Sequence, residues 1–357
     1  MTGEFLIVKS KKPWKQVCLP AEATLEEGIR ILNISGQRLV LVVAKGWRLL
    51  GTVSDGDIRR GLLRGLQLSN SLGEVMHRRP LVVSPSMDLS AVLEIMRINR
   101  IFQIPVVDEK KNICGLHVWE PADKTSRRQN AFVIMAGGRG SRMMPFTETC
   151  PKPMLLVDGK PMLEHIVVRA REAGFRDFFL CINYLGGKVE RYFRNGDKWG
   201  VKIRYVKEKT PLGTAGAVGL LPGPFHHPLL VTNGDVLTEV NYGDLVDFHE
   251  KHQGFATMAV QLHRWEHPFG VVEFDGVEIQ KIQEKPLSQA HVNAGIYVLS
   301  PKALRTLPCN RAIHMPDFFV EMKKRKKRLL AYPLHEPWLD VGNPKDLEQV
   351  NRSKKKK

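Results

Sequence analysis

Apolar and polar positions alternate along this chain in two different styles. Up to about Trp119, apolar residues come in short paired runs set beside amphipathic segments. Two similar units are legible, from Cys18 to about Leu66 and from Val75 to about Trp119. Each opens with a short strand and a turn, at Ala23-Thr24 and at Pro85-Ser86-Met87-Asp88. Each continues with a helix of 3.6-residue apolar period, TLEEGIRILNIS or LSAVLEIMRINR. Each closes on paired β-branched strands, LVLVVAKGWRLLGTVS or FQIPVVDEKKNICGLHV. The pattern is an internal repeat.

From Gln129 onward, strands and helices alternate singly. Ala131 to Met135 reads as a buried strand, and Met162 to Ala173 as an amphipathic helix stopped by Gly174. Asp177 to Ile182 and Pro228 to Thr232 read as further strands. That order predicts an α/β domain with a mostly parallel sheet and helices on both faces. Ligands then belong at the C-terminal ends of the strands. The polar stretch PADKTSRRQN, 121–130, reads as a linker. The expected organisation is a repeat pair over 1–120, the linker, an α/β domain over 131–352 and a basic tail over 353–357.

Composition narrows the class. The chain has 357 residues, of which 43% are hydrophobic, enough for two ordinary cores. No run approaches the ~18 apolar residues of a membrane span, and the N-terminus lacks a secretory pattern. The five cysteines, Cys18, Cys114, Cys150, Cys181 and Cys309, are scattered and form no C-x-x-C pair. Neither a disulfide framework nor a zinc site is indicated, and a cytoplasmic location is expected. The net charge is +17, with basic runs at Lys323–Arg328 and Lys354–Lys357. No aromatics interleave with these bases, so we read a solvated helix face and tail rather than a nucleic-acid platform. The positive field also favours polyanionic substrates.

Four groups of residues carry chemistry. Ala136-Gly137-Gly138-Arg139-Gly140-Ser141-Arg142 follows the first strand, and its glycines let the backbone approach phosphates. It is not a Walker A loop, and Met143 stands where a dinucleotide fingerprint wants glycine. The second group is Glu208-Lys209-Thr210-Pro211-Leu212-Gly213-Thr214. The third is a pair of distant aspartates, Asp235 after an apolar strand and Asp340 in Trp338-Leu339-Asp340-Val341-Gly342. Singly, each is an ordinary turn residue. The fourth comprises Phe269-Gly270, Glu284-Lys285-Pro286 and Asn293-Ala294-Gly295.

With Pro145, Thr147, Pro151-Lys152-Pro153 and Gly159-Lys160-Pro161, this series resembles the sugar nucleotidyltransferase family, from the glycine loop to Asp340. The resemblance implies a Rossmann-like, GT-A-like sheet. It implies that Arg142 and Lys152 clamp a triphosphate, in keeping with positioned cations offsetting phosphoryl charge. Ala136, Gly137, Gly138, Gly140, Gly213 and Thr214 would hold the nucleotide. Glu208 would accept two donors of guanine, which points to GTP. Asp235 and Asp340 would ligate Mg²⁺. Gly270, Glu284, Lys285 and Asn293 would hold the sugar phosphate.

The N-terminal repeat resembles a tandem pair of CBS domains, most clearly at Gly51-Thr52-Val53-Ser54-Asp55-Gly56-Asp57. That implies an adenosine-type nucleotide at Ser54 and Asp57, and association into homodimers or larger assemblies. A plain helix cap by Ser54 or Asp55 is the alternative. The second repeat departs from the pattern, with His117 and Glu120 at the corresponding places. The domain order is similar to the glucosamine-1-phosphate guanylyltransferases of the bacterial legionaminic-acid pathway. Mannose or heptose 1-phosphate, or another base, stays open. So does a non-catalytic CBS sensor or nucleic-acid binder, although a sensor has no use for both aspartates.

Overall fold

Strands that are apolar on both sides must be covered on both sides, and the centre of the second half follows from that. The computed structural model describes residues 7–9, 14–35, 37–99, 101–119, 127–309 and 311–354. Its contacts divide the chain into two compact units, Met1–Lys124 and Thr125–Lys357. Most of the stretch read as a linker, 121–126, and residues 355–357 of the basic tail lie outside the described residues.

In the first unit the strands are β1 (Ile7–Lys9), β2 (Cys18–Leu19), β3 (Leu39–Val43), β4 (Leu49–Ser54), β5 (Gln103–Val107) and β6 (Ile113–Trp119). The helices are α1 (Leu25–Ser35), α2 (Asp55–Leu63) and α3 (Leu89–Asn99). Each repeat forms a three-stranded sheet, β2-β3-β4 and β1-β6-β5. Strand β1 joins the second repeat, pairing antiparallel with β6 from Ile7↔Trp119 to Lys9↔His117. No local pattern announces that pairing. The opening strand expected for the second repeat is reduced to one bridge, Val83↔Val106. Pro80 and Pro85 flank it and withhold two ladder donors. Leu41, Val107, Ile113 and Leu116 share one buried cluster, so the two repeats pack on each other.

The second unit is built on a seven-stranded sheet. Its members are β7 (Phe132–Met135), β10 (Asp177–Ile182), β11 (Lys202–Lys207), β12 (Leu229–Asn233), β14 (Ala256–Glu266), β17 (Leu287–Leu299) and β18 (Leu329–Leu334). Their order is β11-β10-β7-β12-β17-β14-β18, and only β17 runs against its neighbours. The remaining strands form three small ladders: β8 (Leu156–Val157) with β9 (Lys160–Pro161), β13 (Val236–Thr238) with β19 (Trp338–Asp340), and β15 (Val271–Asp275) with β16 (Glu278–Gln283).

Alternate residues of the sheet feed two cores. Phe132, Ile134, Phe178, Leu180 and Leu230 pack under α4 (Met162–Glu172), α5 (Gly186–Phe193) and α7 (Tyr242–Lys251). Val133, Phe179, Cys181 and Val231 pack under α6 (Gly213–Gly216), α8 (Pro301–Leu304) and α9 (Met315–Lys324). Helix α10 (Pro344–Lys354) starts where Asp346 accepts from the N–H groups of Gly342 and Asn343 ahead of it. No helix among the described residues is long and apolar enough to cross a membrane.

Phe132 sits at the centre, fully buried, with ring centroids of Phe175, Phe178 and Tyr242 at 5.1, 5.3 and 4.9 Å. Phe132→Ala is expected to destabilise the second unit by about 3–5 kcal/mol. Val277 is fully exposed at a hairpin tip, and Val277→Ser is expected to stay within about 0.5 kcal/mol. Guanidinium titrations of both variants check this; equal midpoints would contradict the core assignment.

Candidate active site

The parallel strands β7, β10, β11 and β12 end on the same side, and their ends build one cleft of about 430 Å³. Gly137, Gly138, Gly140, Arg142, Lys152, Glu208, Gly213, Thr214 and Asp235 line it. Ala136 does not. It is buried, and its N–H donates to the Cys181 carbonyl at 2.8 Å, which extends the ladder under the glycine loop.

The glycine loop is fastened from below. Thr147 is fully buried and donates from Oγ1 to the Gly140 carbonyl at 2.9 Å. The Tyr184 hydroxyl donates to the carbonyls of Thr147 and Glu148, both at 3.1 Å. Glu208 follows β11, and its backbone N–H donates to Ile182 at 3.1 Å. Its Oε2 accepts from the Leu212 N–H at 2.9 Å. Its Oε1 lies so near Gly137 that a Cβ there would come within 2.8 Å, so the approach of carboxylate and loop requires glycine. Burial raises the Glu208 carboxyl above its usual range, and the Leu212 hydrogen bond opposes that.

Lys152 comes from a short 3-10 turn, and only 8% of its side chain is exposed. Its Nζ meets Asp235 Oδ2 at 2.5 Å. Asp235 is joined to Asp340 by backbone: Val341 donates to the Asp235 carbonyl at 3.2 Å, and β13 pairs with β19 at Val236↔Asp340. The Asp340 carboxyl is raised from its usual range, first by burial and then by the negative charge of Asp235. Lys152 and Arg142 oppose the shift. Two lysine- and arginine-countered carboxylates thus share one half-buried place. Among the described residues no group of three or more His, Cys, Asp or Glu forms a metal cluster.

The residues expected to hold the sugar phosphate do not line this cleft. Gly270 and Glu284 meet each other at the base of the β15–β16 hairpin, where a Cβ on Gly270 would lie 2.9 Å from Glu284 Oε2. Lys285 follows in a left-handed conformation. Asn293 sits on β17, donates to the Tyr297 hydroxyl at 2.6 Å and accepts from Gly295 N–H at 3.0 Å.

Ser141, Pro153 and Pro211 stand in the motifs above without a role of their own, and Asn233, Ala312 and His314 line the cleft as well. Asn233 stands two places before Asp235, so its neighbour could have flagged it. Ala312 and His314 had no signal. They reach the cleft because Ile313 exchanges backbone hydrogen bonds with Leu212 and Ala215 and Met315 N–H donates to Thr214 Oγ1 at 2.8 Å.

In the first unit, Ser54 caps α2. Its Oγ accepts from Asp57 N–H while Asp57 Oδ2 accepts from Ser54 N–H at 2.8 Å, a reciprocal box. Asp57 Oδ1 is held by Arg60. His117 lies on β6, and Glu120 is outside the described residues.

Comparison with known proteins agrees with the layout. The profile of the nucleotidyl transferase family matches residues 131–357, and that of the CBS domain matches 10–64 and 72–116. The mannose-1-phosphate guanylyltransferase catalytic subunit beta of Danio rerio is 34% identical over 222 residues, covering 60% of this chain and 61% of that protein. The mannose-1-phosphate guanyltransferase of Schizosaccharomyces pombe is 34% identical over 223 residues, with the same coverage of both chains. The chain therefore spans about three fifths of the length of these relatives. A solved structure from Bacillus anthracis, described as a glucose-1-phosphate thymidylyltransferase, shares the fold at TM-score 0.51 and 24% identity, covering 62% of this chain and 94% of its own. By the match over 131–357, on the same residues that form the cleft, the chain belongs to the nucleotidyl transferase family and carries two CBS domains ahead of it.

Proposed function

We propose that the second unit transfers a nucleotidyl group from GTP to a hexose 1-phosphate, releasing pyrophosphate. The observation that carries this reading is the meeting of Arg142, Lys152 and Asp235 with the glycine loop in one cleft, with Asp340 beside them. A phosphate oxygen of the sugar attacks the α-phosphorus in line. The new bond is P–O to the sugar phosphate, and the bond that breaks joins the α-phosphorus to the bridging oxygen of pyrophosphate. The attacking oxygen is already ionised, so no general base is needed. Arg142 and Lys152 would offset the charge on the phosphoryl oxygens.

Asp235 and Asp340 suit a hard dication: both offer oxygen only, and their shared negative charge is countered only in part. Mg²⁺ held there would neutralise phosphate charge when bound. In its absence Lys152 serves as the counter-ion of Asp235. An arriving triphosphate offers Lys152 competing anions.

Glu208 supports guanine, because a carboxylate accepts from both N1–H and the exocyclic amine. The relatives' names favour mannose 1-phosphate as acceptor, and the domain order favours glucosamine 1-phosphate. Pyrophosphate release over four triphosphates and a panel of sugar 1-phosphates separates these. No release from any pairing would sink the transferase reading.

Asp235→Asn and Asp340→Asn are each expected to lower turnover by orders of magnitude, but to differ in stability. Asp235→Asn leaves a buried Lys152 unpaired and should lower Tm. Asp340→Asn relieves a like-charged contact and should hold or raise it. Near wild-type turnover of either variant in limiting Mg²⁺ would refute the two-aspartate assignment. Glu208→Gln should weaken discrimination between GTP and ATP, since an amide oxygen accepts one donor and its NH₂ repels the other. An unchanged preference, measured as a ratio of kcat/KM values, would remove Glu208 from the base site. At the CBS pair, an adenosine nucleotide on Asp57 would have to displace Arg60. Calorimetry with AMP, ADP and ATP tests that binding, and heat that persists in Asp57→Ala would place the nucleotide elsewhere.

A further inference from the structure

The cleft holds a polar side chain, Asn233, whose chemistry the transferase scheme leaves unused. Asn233 is the last residue of β12, in register with Met135 of β7, and both line the cleft. Its Oδ1 is buried and has no hydrogen-bond partner. That carboxamide lines the main cleft beside Asp235. A buried carbonyl left without a donor is unfavourable, so a donor brought into the cleft would be stabilised there.

The other end of the same carboxamide faces Gly295. A Cβ on Gly295 would lie 2.7 Å from Asn233 Nδ2, nearer than real side chains come. Gly295 also has φ of +72°, so both its conformation and its nearness to Asn233 exclude a larger residue. Gly295 in turn donates its N–H to Asn293 Oδ1 at 3.0 Å. Asn233 thus stands between Lys152 and Asp235 in the cleft and the Asn293–Gly295 stretch of β17.

We propose that Asn233 is a specificity-determining residue whose Oδ1 accepts a hydrogen bond from a hydroxyl of a bound substrate. The inference rests on the transferase reading above. An ionised phosphate has no donor, and the guanine donors are assigned to Glu208 above, which leaves hydroxyls as the donors common to every substrate considered. Two sources offer one: the ribose of the nucleotide and the acceptor sugar.

The test pairs Asn233→Leu with substrates that lack single hydroxyls. Leucine keeps the volume and removes both polar ends. It should leave Tm unchanged or raised, since it removes an unsatisfied buried atom, whereas a purely structural asparagine would show a falling Tm. Binding of GTP, 2′-deoxyGTP, 3′-deoxyGTP, mannose 1-phosphate and its 2-deoxy analogue is measured by calorimetry, and kcat/KM where turnover occurs. With intact substrates Asn233→Leu should lose about tenfold or more. One deoxy substrate should show the same loss with the wild type and no further loss with the variant, and its identity names the source. Losses that add for every deoxy substrate overturn the assignment, as does a variant with undiminished affinity and rate. Asn233→Ala repeats the cycle if Asn233→Leu fails to fold. A wild type that binds neither GTP nor any sugar 1-phosphate sinks the transferase reading, a result distinct from additive losses in a protein that binds both.

Discussion

A lysine ammonium almost out of reach of water is the constraint around which the second unit is arranged. A buried cation is costly without a counter-charge, and Asp235 supplies one. To hold Asp235 in place, Gly234 N–H continues the β7 ladder by donating to Met135, and Val341 N–H donates to Asp235 from far along the chain. That second contact brings Asp340 in with it. One ion pair therefore ties the first strand of the sheet, its fourth, and the segment before α10 to a common point.

The sheet itself was legible because its strands are apolar without alternation. Asp177 to Ile182 reads FFLC at its centre, and those residues are buried on both faces. A strand of that kind has no solvent face to misassign. Strand β1 was not legible: three residues with a partner over a hundred positions away leave no periodic trace. The opening strand of the second repeat was over-read: its Leu81-Val82-Val83 has the right composition, but the prolines on either side lack N–H donors and the pairing stops at Val83.

The site was legible where chemistry demanded unusual residue types in fixed order. Glycines after a strand, an arginine, a lysine between prolines and an aspartate at a strand end all fall into or beside one cleft. It was illegible where tertiary packing decides. Ala312 and His314 enter only because the backbone of Ile313 docks on 212–215. The expected sugar residues show the opposite limit. Gly270 and Glu284 do find each other, at the base of the β15–β16 hairpin, while the residues lining the cleft come from other segments.

The pairing of β1 with β6 also sets an order of events. A chain made from its N-terminus exposes Ile7–Lys9 early, but the strand those residues pair with is complete only once Trp119 has emerged. Closing so long a loop is slow relative to forming the hairpin β5–β6 from neighbouring residues. Until β1 docks, the β6 edge of the β5–β6 ribbon in the second CBS sheet lacks that partner, and an unpaired edge can recruit strands from other chains. The last strand to be added to that sheet is the first one translated.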